Sequence, residues 1–223
     1  METLVIIPAK NESQKIVEVI GEVKTAIGSA GDVLVVDDGS TDNTFEVARL
    51  AGAITLRHLI NRGQGAALRT GISYALKQNY NQVVFFDADG QMRAEEIPLM
   101  LERLKAGDLQ VVLGSRFLGK IVDMPLSKLI TLKLALLFTR LTSGLKLTDT
   151  HNGFQAWTRV ALQKLALRQD RQAYASELLS EIKKNNLRYQ ELPVTIIYSD
   201  YSKQKGQSIF NAFNIVWDLF IKR

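Results

Sequence analysis

Two aspartates one residue apart, Asp87 and Asp89 in "VVFFDADGQ" (83–91), are the residues of this chain best suited to chemistry. They follow an apolar run, and Gly90 lets the chain turn at once. On a strand, residues i and i+2 point the same way. Two carboxylates held that close repel unless a proton or a cation lies between them. Oxygen ligands of this kind suit Mg2+ or Mn2+, which keep waters and take substrate phosphates as further ligands. Gln91 adds an amide oxygen, as a ligand or as the anchor of a bound water. A bare pair of acids is more often a solvated turn. Its place at the end of a buried strand favours the cation.

A second acidic strand end, "VVDDGSTD" (35–42), carries Asp37 and Asp38. Being adjacent, they face opposite sides: one suits a base or ribose, the other the bracing of its own loop. Ser40, Thr41 and Asp42 read as a helix cap. The first strand ends in "PAKNE" (8–12), where Asn11 reads as an N-cap and Glu12 as a first-turn acid. "NRGQGAALRTG" (61–71) has the outline of a dinucleotide fingerprint, but Leu68 occupies the third glycine position. Backbone N–H groups at that helix start, beside Arg62 and Arg69, can still cradle phosphate. His58 falls in a strand pattern and reads as structural, whereas His151, in the polar "DTHNG" loop, suits a ligand or a phosphate contact. Arg116 in "GSRF" ends a strand at the same edge and suits an anion. Lys203 and Lys205 sit in a polar loop that is either solvated surface or a phosphate clamp.

The elements that must hold these residues alternate. Apolar runs at 3–9, 32–40, 53–60, 82–89 and 109–117 read as strands, and 11–27, 40–52, 63–79 and 94–107 as helices between them. Near-continuous apolar strands alternating with helices predict an α/β fold, a mostly parallel central sheet with helices on both faces. In such sheets ligands sit beyond the carboxyl ends of the strands, where the acidic clusters fall. After residue 118 the pattern changes. Residues 126–147 read as an apolar helix bearing Lys128, Lys133, Arg140 and Lys146 and no acid. A polar loop and a helix follow over 149–165, a helix over 173–186, a strand over 188–198 and an amphipathic helix over 209–223. That last stripe fits core packing, a homo-oligomer contact or a membrane surface.

The 223 residues suffice for one sizeable core, and the net charge of +5 suggests an anionic partner: nucleic acid, membrane surface or phosphorylated substrate. With no cysteine, disulfides and thiolate metal sites are excluded, which suits a reducing cytoplasm. No signal peptide and no transmembrane run are expected.

Together the motifs resemble the family 2 glycosyltransferases of the GT-A fold, notably the dolichol- and polyprenyl-phosphate mannose and glucose synthases. "PAKNE" is similar to the family's P-A-Y-N-E, with Lys10 for tyrosine. "DDGSTDNT", "NRGQGAALRTGI", "DADGQ" and "GSRF" match further elements in order, and "DTHNGFQAW" resembles D-x-x-S-G-F-R with His151-Asn152 for the frequent Met-Ser. "YSDYSKQKGQS" is a longer variant of R-x-G-x-S-K. The resemblance covers nearly the whole chain: residues 1–208 as the catalytic domain, 209–223 as a helix that packs or meets a membrane.

The resemblance implies an inverting transfer of a hexose from a UDP- or GDP-sugar to a polyprenyl phosphate or a glycan hydroxyl, not nucleic acid. Asp87, Asp89 and Gln91 would hold Mg2+ or Mn2+, with Ala88 between them. Pro8, Ala9, Asn11, Glu12, Asp37 and Asp38 would line the nucleoside site. Arg69, Arg116, His151, Lys203 and Lys205 would meet phosphates. A sugar-hydroxyl acceptor requires a base, for which Glu177 and then Asp149 are the candidates; a lipid phosphate does not. Relatives with C-terminal transmembrane helices differ from this chain, which would meet a lipid acceptor as a peripheral protein at the cytoplasmic face. Three rivals are weaker. A receiver domain needs its acid pair after strand one, and a nucleotidyltransferase needs a glycine-rich loop there. A non-catalytic sugar-nucleotide binder would not need Asp87, Asp89 and Gln91 intact.

Overall fold

The apolar runs fold as strands in the computed structural model, which describes residues 2–106, 108–143, 145–171 and 173–201. The strands are β1 (Thr3–Ala9), β2 (Gly31–Asp37), β3 (Ile54–Arg57), β4 (Gln82–Phe85), β5 (Val111–Val122), β6 (Gln155–Thr158) and β7 (Tyr189–Ile197). They form one sheet in the order β3-β2-β1-β4-β6-β5-β7. All neighbours are parallel except β6, which runs antiparallel to both β4 and β5. The helices are α1 (Ile16–Ile27), α2 (Thr44–Leu50), α3 (Gln64–Lys77), α4 (Ile97–Ala106), α5 (Leu126–Ser143), α6 (Arg159–Leu162) and α7 (Tyr174–Lys184).

Alternation along each strand explains why the runs are apolar throughout. Val5, Ile7, Val33, Val35 and Val84 face one layer, packing on Ile16, Val19, Ile20 and Val23 of α1 and Ile97 and Met100 of α4. Leu4, Ile6, Leu34, Val36 and Val83 face the other, against Ala67, Leu68, Ile72 and Ala75 of α3 and Leu178 and Ile182 of α7. Leu68 is therefore core. The close approach of α3 to β1 falls one turn later, at Gly71, where an added Cβ would lie 2.5 Å from Ile6.

Four local expectations need correction. β4 stops at Phe85, so Asp87 and Asp89 lie in the turn beyond the strand and do not alternate along it. α1 begins at Ile16, and Asn11 is not its cap: its φ is 54° and its side chain accepts from the Thr41 N–H at 2.8 Å. β5 runs to Val122, five residues beyond the expected end. The segment read as loop and helix contains β6, which fills the gap between β4 and β5 with the buried Trp157. No described helix is long and apolar enough to cross a membrane. Lys203, Lys205, the 208/209 boundary and the closing helix lie outside the described residues.

Candidate active site

Three chain segments converge beyond the carboxyl ends of β1, β4 and β5. Asp87 leaves β4 with its N–H against Met92 Sδ at 3.4 Å. Gln64, in the first turn of α3, donates to Asp87 Oδ1 at 3.0 Å. Gly153 approaches from the loop before β6: a Cβ there would lie 2.7 Å from Asp87 Oδ2. Only glycine leaves that carboxylate in place. Asp89 Oδ1 accepts the Gln91 N–H at 3.1 Å, which folds the turn back on itself.

The acid pair is electrostatically uncomfortable. Burial, then the Asp89 charge, push Asp87 up to about 7, against the pull of Arg116 and Gln64. Asp89 is raised too, first by burial and further by Glu12, with the Gln91 N–H opposing. A divalent cation would relieve this repulsion, and the donors present fit one: two carboxylates, with Gln91 in the same turn. Among the described residues no cluster of three or more His, Cys, Asp or Glu could enclose a metal.

Cations face the pair. Arg116 on β5 is buried and held on all sides: Nε donates to Asp149 Oδ2 at 2.6 Å, Nη1 to the Tyr198 hydroxyl at 2.9 Å and Nη2 to the His151 carbonyl at 2.6 Å. Lys128, in the first turn of α5, lies 4.8 Å from the centre of the Tyr198 ring. Burial and the Arg116 charge lower its proton affinity, while Asp89 and Asp87 support the charged form. In the sequence Lys128 reads only as one of four cations on an apolar helix and not as a site residue, although a signal was there. A lysine in the first turn of a helix opposes the dipole, so it needs an anion nearby.

Several expected residues are engaged by contacts within the fold. Asp38 is saturated by the fold: it accepts from His58 Nδ1 at 2.7 Å, Arg62 N at 2.9 Å and Gly63 N at 2.6 Å. It shapes the loop before α3, and His58 is structural as expected. Asp37 is fully buried, accepts the Ser40 N–H at 3.1 Å, and has Arg57 Nε 3.1 Å from Oδ2 without hydrogen-bond geometry. Arg69 pairs with Asp170. Glu177 accepts the N–H groups of Arg168 at 2.8 Å and Gln169 at 2.9 Å. Asp149 accepts from Arg116 and from the His151 N–H at 3.2 Å. His151 Nδ1 lies 2.8 Å from Thr150 Oγ1, and burial lowers its proton affinity, which keeps the ring neutral. Pro8 and Ala9 pair with Val36 and Asp37 in the sheet, so the β1 and β2 ends meet. Glu12 follows, its N–H fixed by Thr44 Oγ1 at 2.8 Å.

A family model described as Glycosyl transferase family 2 matches residues 4–166. A UDP-N-acetylglucosamine–dolichyl-phosphate N-acetylglucosaminyltransferase of Methanococcus voltae is 31% identical over 97% of this chain and 94% of its own. A polyprenol monophosphomannose synthase of Mycolicibacterium smegmatis is 33% identical over 94% of this chain and 83% of its own. In structure, the glucosyl-3-phosphoglycerate synthase of Mycobacterium tuberculosis superposes with a TM-score of 0.76 at 19% identity, over 98% of this chain and 78% of that one. That enzyme, whose fold this chain shares, has been solved with Mn2+ and UDP and with Mg2+ and UDP. The chain belongs to glycosyl transferase family 2 and has the GT-A fold.

Proposed function

We propose that this enzyme moves a hexose from a nucleoside-diphosphate sugar to a polyprenyl phosphate in one inverting displacement. The observation that carries the choice of acceptor is the engagement of both candidate bases. Glu177 holds two backbone N–H groups and Asp149 holds Arg116. A sugar hydroxyl must lose a proton to a base. A phosphate oxygen is already anionic and needs none. The relatives named for dolichyl-phosphate and polyprenol substrates support the same class.

Asp87 and Asp89, with Gln91, would hold Mg2+ or Mn2+, which when bound neutralises charge on the leaving diphosphate. Arg116, kept rigid by Asp149, Tyr198 and the His151 carbonyl, offers a fixed positive charge beside the acid pair. Lys128 adds a second, from α5, which carries an exposed apolar stripe. The acceptor oxygen bonds to the anomeric carbon as the bond to the donor phosphate breaks. The nucleoside diphosphate departs with the electron pair, and no proton need be transferred.

α5 supports a bilayer-resident acceptor. Leu126, Ile130, Leu134 and Leu137 recur at helical spacing, each more than half exposed, with Lys133 and Arg140 also exposed. Such a helix suits the surface of an anionic leaflet, which supports a peripheral position at the cytoplasmic face. The test is a panel of UDP- and GDP-sugars with Mn2+, offered a short polyprenyl phosphate or a glycan hydroxyl. Transfer to the phosphate is expected. Transfer to the hydroxyl alone would reject the acceptor, and no transfer from any donor would reject the reaction.

A further inference from the structure

Beyond β7 the chain crosses from the metal-side loop to the end of β1 in four residues. At its start the Ile197 N–H donates to the Gln91 carbonyl at 2.9 Å, and Ile196 bridges Met92. Tyr198 then takes its hydrogen bond from Arg116. At Tyr201 the phenol donates to Glu12 Oε2 at 2.7 Å, joining positions 189 residues apart.

Glu12 is where a held carboxylate matters. It follows the carboxyl end of β1, which lies beside the parallel β4 from which Asp87 and Asp89 emerge. Swung toward them, a third carboxylate would oppose an incoming diphosphate. Fixed beyond β1, it is an acceptor for the hydroxyls of a ribose. A hydrogen bond to an ionised acceptor is roughly twice as strong as a neutral one, and a phenol on a rigid ring delivers it with little rotamer freedom. We propose that Tyr201 is a positioning residue of the donor site, its hydroxyl fixing the Glu12 carboxylate for the nucleoside of the donor. This rests on the nucleoside-diphosphate-sugar reading above.

The test is Tyr201→Phe in the full chain, titrated with UDP and with GDP in the presence of Mn2+. The nucleotide that the wild type binds should bind about five- to tenfold more weakly, with donor KM rising alike and kcat nearly unchanged. The thermal midpoint without nucleotide should stay put. Glu12→Gln should weaken binding similarly, and the double variant should lose little more, because the two residues act as one unit. Unchanged binding in Tyr201→Phe, multiplying losses in the double variant, or a lowered midpoint would overturn the assignment. If Asp89→Asn abolishes binding while Tyr201→Phe does not weaken it, only Tyr201 is wrong. If the wild type binds neither nucleotide, the donor reading fails and takes this one with it.

Discussion

The two acidic strand ends of this protein look alike in sequence and differ in what satisfies them. Beyond β2, Asp38 receives three hydrogen bonds from His58, Arg62 and Gly63, and Asp37 is enclosed with Ser40 and Arg57. Beyond β4, Asp87 receives one side-chain donor, Gln64, and shares a half-buried corner with a second acid. Asp38, its oxygens filled by the chain, is part of the scaffold, and the buried Asp37, whose Oδ2 has only the Arg57 cation beside it, carries no second acid against it. A pair left in mutual repulsion, its proton affinity raised, is built for something from outside. The difference teaches that function here follows from repulsion left between paired acids more than from the presence of acid.

The largest effect that could break this comparison is at its β4 end. Asp89→Asn should reduce transfer by on the order of 10³-fold without lowering the thermal midpoint, as assay and melting curve would show. Asp38→Ala should do the opposite: it unbalances a buried network and costs about 3 kcal/mol, read as a midpoint lowered by roughly 10 °C. Gly153→Ala pushes on the Asp87 carboxylate and should weaken Mn2+ binding by about 10- to 100-fold, measured by calorimetry. The smallest effect is in pH. Asp87, at about 7, binds a proton in the folded protein that an unfolded aspartic acid gives up near 4. Metal-free stability therefore falls as pH rises from about 4 to about 7. Asp87→Asn should melt a few degrees above the wild type at pH 8 and match it near pH 4. In the wild type, Mn2+ affinity should drop about tenfold per unit below pH 7 and level off above it.

Much of this was legible in the sequence. The β-α alternation and the acids at the strand ends follow from apolar runs and local turn chemistry, and the motif order points to the family. What was not legible depends on long-range contacts. β6 is four residues long and antiparallel, held by partners on β4 and β5 that no local pattern announces. Asn11 reads as a cap only while Thr41 is out of view. Glu177 and Arg69 look available for chemistry until the 168–170 segment is folded against them. Lys128 becomes interesting only when α5 brings it to Tyr198 and Arg116.

One titration reaches the centre of the account: Mn2+ added to the full chain at pH 8, alone and with a nucleoside diphosphate, beside Asp89→Asn and Asp38→Asn. The account predicts one Mn2+ bound, tightened by the nucleotide, lost in Asp89→Asn and retained in Asp38→Asn. Equal Mn2+ binding in the wild type and Asp89→Asn, or none in the wild type, would contradict it.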